Sequence, residues 1–213
     1  QNRLGFSRCA EVATELWQAA LAAALADGPI AAIKLGMLAS ASQAAALAAA
    51  LALVARQVPL VVDPVLSATA GGYQASSTLA AVYREQLVPL AAVFTPNLPE
   101  QAAVLGTEPP AAACERGCGA VLTKGGHGEG GMLVDLLTSR DAVHTFAHPR
   151  QPVGPVHGTG CALASSLAAH LAHGASVVEA TRASIGWLQQ CLAAMGAPRA
   201  DALPRPLTLV ASR

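Results

Sequence analysis

Leu60-Val61-Val62-Asp63-Pro64 is the stretch on which the fold class turns. An apolar, β-branched run of this length reads as a short strand, and it ends where Asp63-Pro64 supplies a turn. On its N-terminal side, residues 42–56 read as a helix, residues 30–35 as a strand and residues 11–26 as a helix stopped by Asp27-Gly28-Pro29. On its C-terminal side a turn-rich loop runs through Gly71-Gly72, followed by a helix over 78–87 and a strand over 92–95 halted by Pro96. A helix over 98–105 stops at Gly106, and residues 120–123 form the next strand. Residues 132–137 and 143–146 read as an antiparallel pair, and helices over 161–173 and 177–195 close the chain. Strands alternating with helices predict an α/β fold with a mostly parallel sheet. Ligands of such sheets bind beyond the carboxyl ends of the strands, which directs attention to the residues just after each strand.

The 213 residues suffice for one domain, expected to span 1–213, with a sizeable core. Zero net formal charge and the lack of a basic stretch interleaved with aromatics argue against nucleic acid as a partner. Five cysteines without a signal peptide point to reduced thiols and the cytoplasm. Residues 35–55 carry no charge and are long enough to span a bilayer. Alanine dominates them, however, and Gly36, Ser40, Ser42 and Gln43 interrupt them, so a packed helix is expected and no membrane partner.

His157-Gly158-Thr159-Gly160-Cys161 carries the chemistry. Two glycines allow a tight backbone close to a ligand, and a helix follows at once. A helix N-terminus offers free N–H donors and partial positive charge, which favours phosphate. Cys161 lies in the same first turn, where a thiol is expected to ionise more easily. Asp63 ends a strand and either faces the ligand crevice or serves as a turn residue. Glu100, in Asn97-Leu98-Pro99-Glu100, either completes a helix cap or holds Mg²⁺ through water. The chain has only two lysines against eleven arginines, and both end strands before glycine: Lys34-Leu35-Gly36 and Lys124-Gly125-Gly126. An ammonium at such a place is a compact point charge for phosphate; chance is the alternative.

Other patterns carry less. Gly126 to Gly131 fits G-x-G-x-x-G, but a strand follows where a dinucleotide site needs a helix. Cys114 and Cys118 lack a second pair of zinc ligands. His170 and His173 suit a helix C-terminus, and Trp17 and Trp187 suit a core or a subunit contact.

Taken in order, these motifs resemble the ribokinase-like superfamily, and within it the hydroxymethylpyrimidine/phosphomethylpyrimidine kinases of thiamine biosynthesis. The resemblance rests on Gln1-Asn2, Ile33-Lys34-Leu35-Gly36-Met37-Leu38, Val62-Asp63-Pro64-Val65, Thr95 to Glu100, Leu122 to His127 and the His157 to Cys161 run. Related sugar kinases carry aspartate where this chain has Cys161. The resemblance implies a three-layer sandwich around a mostly parallel sheet. It implies that Cys161 is the catalytic residue, with Gly158 and Gly160 in the anion hole. Asp63, Lys124 and Thr159 would serve the ATP phosphates, Glu100 the Mg²⁺, and Gln1, Met37 and Val65 the pyrimidine. ATP is then the co-substrate, and a homodimer is expected.

The sequence departs from that pattern in three places. The family begins with a strand and a glycine-rich segment that this chain starts after, so a fragment lacking the first βα unit is expected, with an unpaired sheet edge. Residues 107–119 are short for the helix usual there, and Val156 stands where threonine usually precedes the histidine. The expected activity is ATP-dependent phosphorylation of 4-amino-5-hydroxymethyl-2-methylpyrimidine and of its monophosphate. Pyridoxal kinase activity and a pyrimidine sensor without turnover are the rivals.

Overall fold

A computed structural model describes residues 9–67, 74–126, 130–198 and 203–211. Its main sheet has six strands in sequential order: β1 (Ile33–Leu35), β2 (Leu60–Val62), β3 (Val93–Phe94), β4 (Ala120–Thr123), β5 (Met132–Ser139) and β6 (Val143–Pro149). The first four are parallel, and β5 and β6 join antiparallel. Successive residues of a strand face opposite ways, so the register sorts the core into two halves. Leu35, Val62, Phe94 and Val121 are matched across the sheet and belong to one apolar cluster. Helices α2 (Ala41–Leu51), α3 (Ser77–Val82), α4 (Leu98–Leu105) and α5 (Pro110–Glu115) supply the other side of that cluster. Val61, Val93 and Ala120 form the opposite cluster with residues of α6 (Thr159–Ala172) and α7 (Val177–Ala193). The result is a three-layer sandwich, as the resemblance implies, around the mostly parallel sheet that the sequence pattern predicts. Helix α1 (Thr14–Ala26) buries no residue fully, and its Leu21 rests against the first cluster.

Several boundaries differ from expectation for local reasons. The helix expected over 78–87 starts as α3, widens into a π turn at Tyr83–Leu87 and tightens to a 3-10 turn at Val88–Leu90. Pro89 cannot donate to a continuing helix, which sets the end of this segment. Residues 42–56 divide into α2 and a separate 3-10 turn, Val54–Arg56. The 107–119 stretch does hold a helix, the short α5, which starts on Pro110. Residues 35–55 contain a loop, α2 and a turn, and no helix among the described residues is long and apolar enough to cross a membrane. Gly130 and Gly131 lead into β5 and not into a helix, in line with the rejected dinucleotide motif.

One pairing is nonlocal. β7 (Val156–His157) pairs in parallel with β8 (Arg205–Pro206), which brings the tail against the segment that enters α6. The Arg205 guanidinium donates to the carbonyls of Met195, Val153 and Gly196, and the Trp187 indole donates to that of Val210.

Candidate active site

Three parallel strands deliver their following residues to one edge of the sheet. Asp63 follows β2, Asn97 lies just after β3, and Lys124 follows β4. The Lys124 amide donates to the Pro96 carbonyl at 2.8 Å, so the parallel pairing extends to the site itself. Asp63 is almost fully buried. Its Oδ1 accepts from Lys124 Nζ at 2.9 Å and from the Thr95 hydroxyl at 3.1 Å. Its Oδ2 has no hydrogen-bond partner among the described residues, and Lys34 Nζ lies 3.9 Å from it. Both lysines singled out by their scarcity thus converge on Asp63.

Glu100 takes the capping place that its motif offers and also reaches the cleft. It closes a capping box at the start of α4: the Glu100 amide donates to Asn97 Oδ1 and the Asn97 amide donates to Glu100 Oε2, each at 2.8 Å. The carboxyl also lies 3.9 Å from Lys124 Nζ and borders the cleft. Burial, above all, pushes its pKa up from 4.5; Lys124 pulls the other way, and the charge of Asp63 adds to the rise. A carboxylate held under such strain gains from a cation brought alongside.

The N-terminus of α6 completes the cleft. Gly158 is its N-cap, with φ of 86°, a left-handed conformation that glycine adopts without penalty. Side chains cap α2, α3, α4 and α7; α6, like α1 and α5, has no side-chain cap, and of these three it is the one whose start lines the cleft. Its first amides are therefore open to a ligand. Gly158, Thr159, Gly160 and Cys161 line a cleft of about 540 Å³ together with Asp63, Val65, Glu100 and Lys124. A Cβ added at Gly160 would sit 3.2 Å from Lys124 Nζ, so this ammonium lies directly over the helix start.

One expectation needs correction. Cys161 is exposed at the mouth of the cleft, yet its pKa is raised above 9.0, not lowered. Loss of water around the sulfur is the main cause and the negative charge of Asp63 the next; Lys34 and Lys124 offset them only in part. A helix terminus alone favours the thiolate, and burial with a carboxylate across the cleft reverses that preference. Of the residues that the resemblance assigns to the pyrimidine, Val65 lines this cleft, and Met37 stands exposed in the loop after β1, outside its lining. Gln1 lies outside the described residues.

Sequence reasoning missed the far wall of the cleft, where Asp135, His148, Arg150, Gln151 and Gln189 stand. One signal was available. Asp135 occupies an inward position of β5 between Leu133 and Leu137, and a charged residue is seldom buried without partners.

Comparison with known proteins accords with this geometry. The sequence model of a family described as phosphomethylpyrimidine kinase matches residues 1–204. A hydroxymethylpyrimidine/phosphomethylpyrimidine kinase of Rhizobium meliloti (strain 1021) is 34% identical over 204 residues, covering 91% of this chain and 76% of that protein. The crystal structure of a phosphomethylpyrimidine kinase from Clostridium difficile 630 superposes with a TM-score of 0.75 at 26% identity, covering 89% of this chain and 81% of that one. An ADP complex of Bacillus subtilis pyridoxal kinase gives a TM-score of 0.74 at 26% identity, covering 84% and 71%.

Proposed function

Because the chain belongs to the phosphomethylpyrimidine kinase family, we propose that it phosphorylates 4-amino-5-hydroxymethyl-2-methylpyrimidine with ATP, and then the monophosphate so formed, in thiamine biosynthesis. The observation that carries this reading is the uncapped start of α6, with Cys161 in its first turn, facing Asp63, Glu100 and Lys124 across one cleft. In-line phosphoryl transfer asks for positioning and for compensation of charge on the transferring group. The open amides of α6 and the Lys124 ammonium supply that compensation. Cys161 stands where the attacking hydroxyl must lose its proton, and its thiolate accepts it. Val65, which lines the cleft, is our candidate for contact with the pyrimidine.

Asp63 and Glu100 suit Mg²⁺. The unpartnered Oδ2 of Asp63 and the buried carboxyl of Glu100 are hard oxygen donors, and Mg²⁺ in kinases is held by one or two carboxylates, water and substrate phosphates. When bound, the ion neutralises charge on the β- and γ-phosphate oxygens. All five cysteines are free, which supports a reducing compartment, the cytoplasm.

The pyridoxal kinases among the structural neighbours favour a second reading, in which the acceptor is the hydroxymethyl group of pyridoxal. A sensor that binds pyrimidine without turnover is separated from both by one assay. ADP release should depend on added pyrimidine alcohol in the presence of Mg²⁺ and ATP; pyrimidine binding with no ADP release would sink the kinase reading.

Glu100→Gln tests the metal role without disturbing the helix. Glutamine can still close the capping box. We expect kcat to fall about 10–100-fold, as for groups that act on a metal through an intervening ligand, with a higher Mg²⁺ requirement. Stability should respond oppositely. A carboxyl whose pKa is raised by folding favours the folded state below 4.5, and that advantage is lost as pH rises through the raised value. At neutral pH the charged Glu100 therefore costs stability, and Tm of Glu100→Gln should be unchanged or slightly higher. Normal turnover and an unchanged Mg²⁺ requirement in Glu100→Gln would leave Glu100 as a helix cap alone.

A further inference from the structure

One buried carboxylate of the cleft has no role in the transfer so far described. Asp135 lies on β5, and its Oδ1 accepts from the Gly125 amide at 2.7 Å. Gly125 is the residue after Lys124, and it has no room for a side chain: an added Cβ would lie 2.0 Å from the Val134 carbonyl oxygen. The turn that presents Lys124 is thus seated on the β5 backbone and tied to it by Asp135. The other oxygen of Asp135 meets His148 Nε2 at 3.1 Å. His148 Nδ1 lies 3.0 Å from Gln189 Nε2, and Gln189 Oε1 accepts from Gln151 Nε2 at 2.9 Å.

Donors and acceptors along this chain fit a single assignment. Gln151 donates to Gln189, Gln189 donates to Nδ1 of a neutral imidazole, His148 donates through Nε2 to Asp135, and Asp135 accepts from Gly125. Every member borders the same cleft as Lys124, apart from Gly125 itself. The consecutive β5, β6 and the loop after it, together with the more distant α7, are linked through it to one backbone amide.

We propose that Asp135, oriented by His148 and Gln189, is a positioning residue for the nucleotide: it fixes the Lys124-Gly125 turn so that the ammonium meets the ATP phosphates. The inference rests on the kinase reading for the role of Lys124. It assigns Asp135 an effect on nucleotide and not on pyrimidine, which a merely structural hydrogen bond would not produce.

The test compares Asp135→Asn, Asp135→Leu and His148→Ala in the full chain. Binding of a non-hydrolysable ATP analogue with Mg²⁺ is measured by calorimetry, KM for ATP and for pyrimidine by steady-state kinetics, and Tm by thermal melting. Asparagine keeps an acceptor for Gly125, and its amide can reverse the chain through a change of histidine tautomer and amide flips. Asp135→Asn should hold analogue affinity within about threefold of the unsubstituted chain. Asp135→Leu should weaken it about 10–100-fold, the worth of a lost hydrogen bond to a charged group. His148→Ala should weaken it about fivefold, the worth of one ordinary hydrogen bond. KM for pyrimidine should stay put in all three. Should Asp135→Leu fail to fold, His148→Ala and Asp135→Asn carry the comparison. Unchanged analogue binding in His148→Ala and Asp135→Leu would overturn the proposal, as would equal losses for ATP and pyrimidine. If the unsubstituted chain binds the analogue yet phosphorylates no pyrimidine, the substrate reading fails and the binding comparison still decides this one.

Discussion

Replacing Cys161 by alanine is expected to lower kcat by about 10²–10⁴-fold, the range for loss of a general base. Nucleotide and pyrimidine affinity should survive, since other groups hold both substrates. The raised thiol pKa adds a sharper expectation. Only the thiolate accepts a proton, and well below its pKa the thiolate fraction grows about tenfold per pH unit. The rate of the unsubstituted chain should therefore climb from neutral pH to beyond 9.0, the ordinary thiol value, while Cys161→Ala is flat over that range. Cys161→Asp should recover part of the rate, with its profile moved to lower pH. Repulsion from Asp63, which already acts on the thiol, limits that recovery. Normal kcat in Cys161→Ala would remove the cysteine from the mechanism and leave catalysis to charge compensation by the α6 amides and Lys124.

The second large effect concerns Lys124. Lys124→Met removes the ammonium that lies over the α6 start, and kcat/KM should drop about 10²–10³-fold, as when one preorganised donor to developing charge is lost. The same change deprives buried Asp63 of its 2.9 Å partner. Breaking a buried pair costs about 3–5 kcal/mol when nothing replaces it. Here Lys34 stays 3.9 Å from the other oxygen, so a smaller loss is expected, about 2 kcal/mol or roughly 5 °C in Tm. Asp63→Asn added to Lys124→Met removes the orphaned charge. The double variant should regain most of the Tm and none of the activity. Recovered activity in it would mean that Lys124 serves only to neutralise Asp63.

Elements whose signals are local were legible in the sequence. The bounds of β2, α4 and β4 follow expectation to the residue. Proline flanks the apolar run of β2, and α4 carries its capping box at one end and Gly106, with φ of 64°, at the other. The meeting of Asp63, Glu100, Lys124 and the glycine run was legible because each follows a strand or opens a helix at the same edge of a parallel sheet. Elements set by distant partners were not. β7 and β8 are two residues each and pair across roughly half a hundred positions, so no periodicity marks them. Asp135 and His148 meet only through the β5–β6 register, in which Leu133 is opposite His148 and Asp135 opposite Phe146. The sign of the Cys161 shift was hidden for the same reason: it depends first on how far the sulfur is withdrawn from water and then on Asp63, a neighbour in space and not in sequence.

Transfer of phosphate to a pyrimidine hydroxymethyl group is tested most directly by measuring kcat/KM for 4-amino-5-hydroxymethyl-2-methylpyrimidine and for pyridoxal side by side, with Mg²⁺, ATP and identification of each product by mass. We expect the phosphorylated pyrimidine to form with the higher kcat/KM. Phosphate appearing on pyridoxal and never on the pyrimidine would contradict the account.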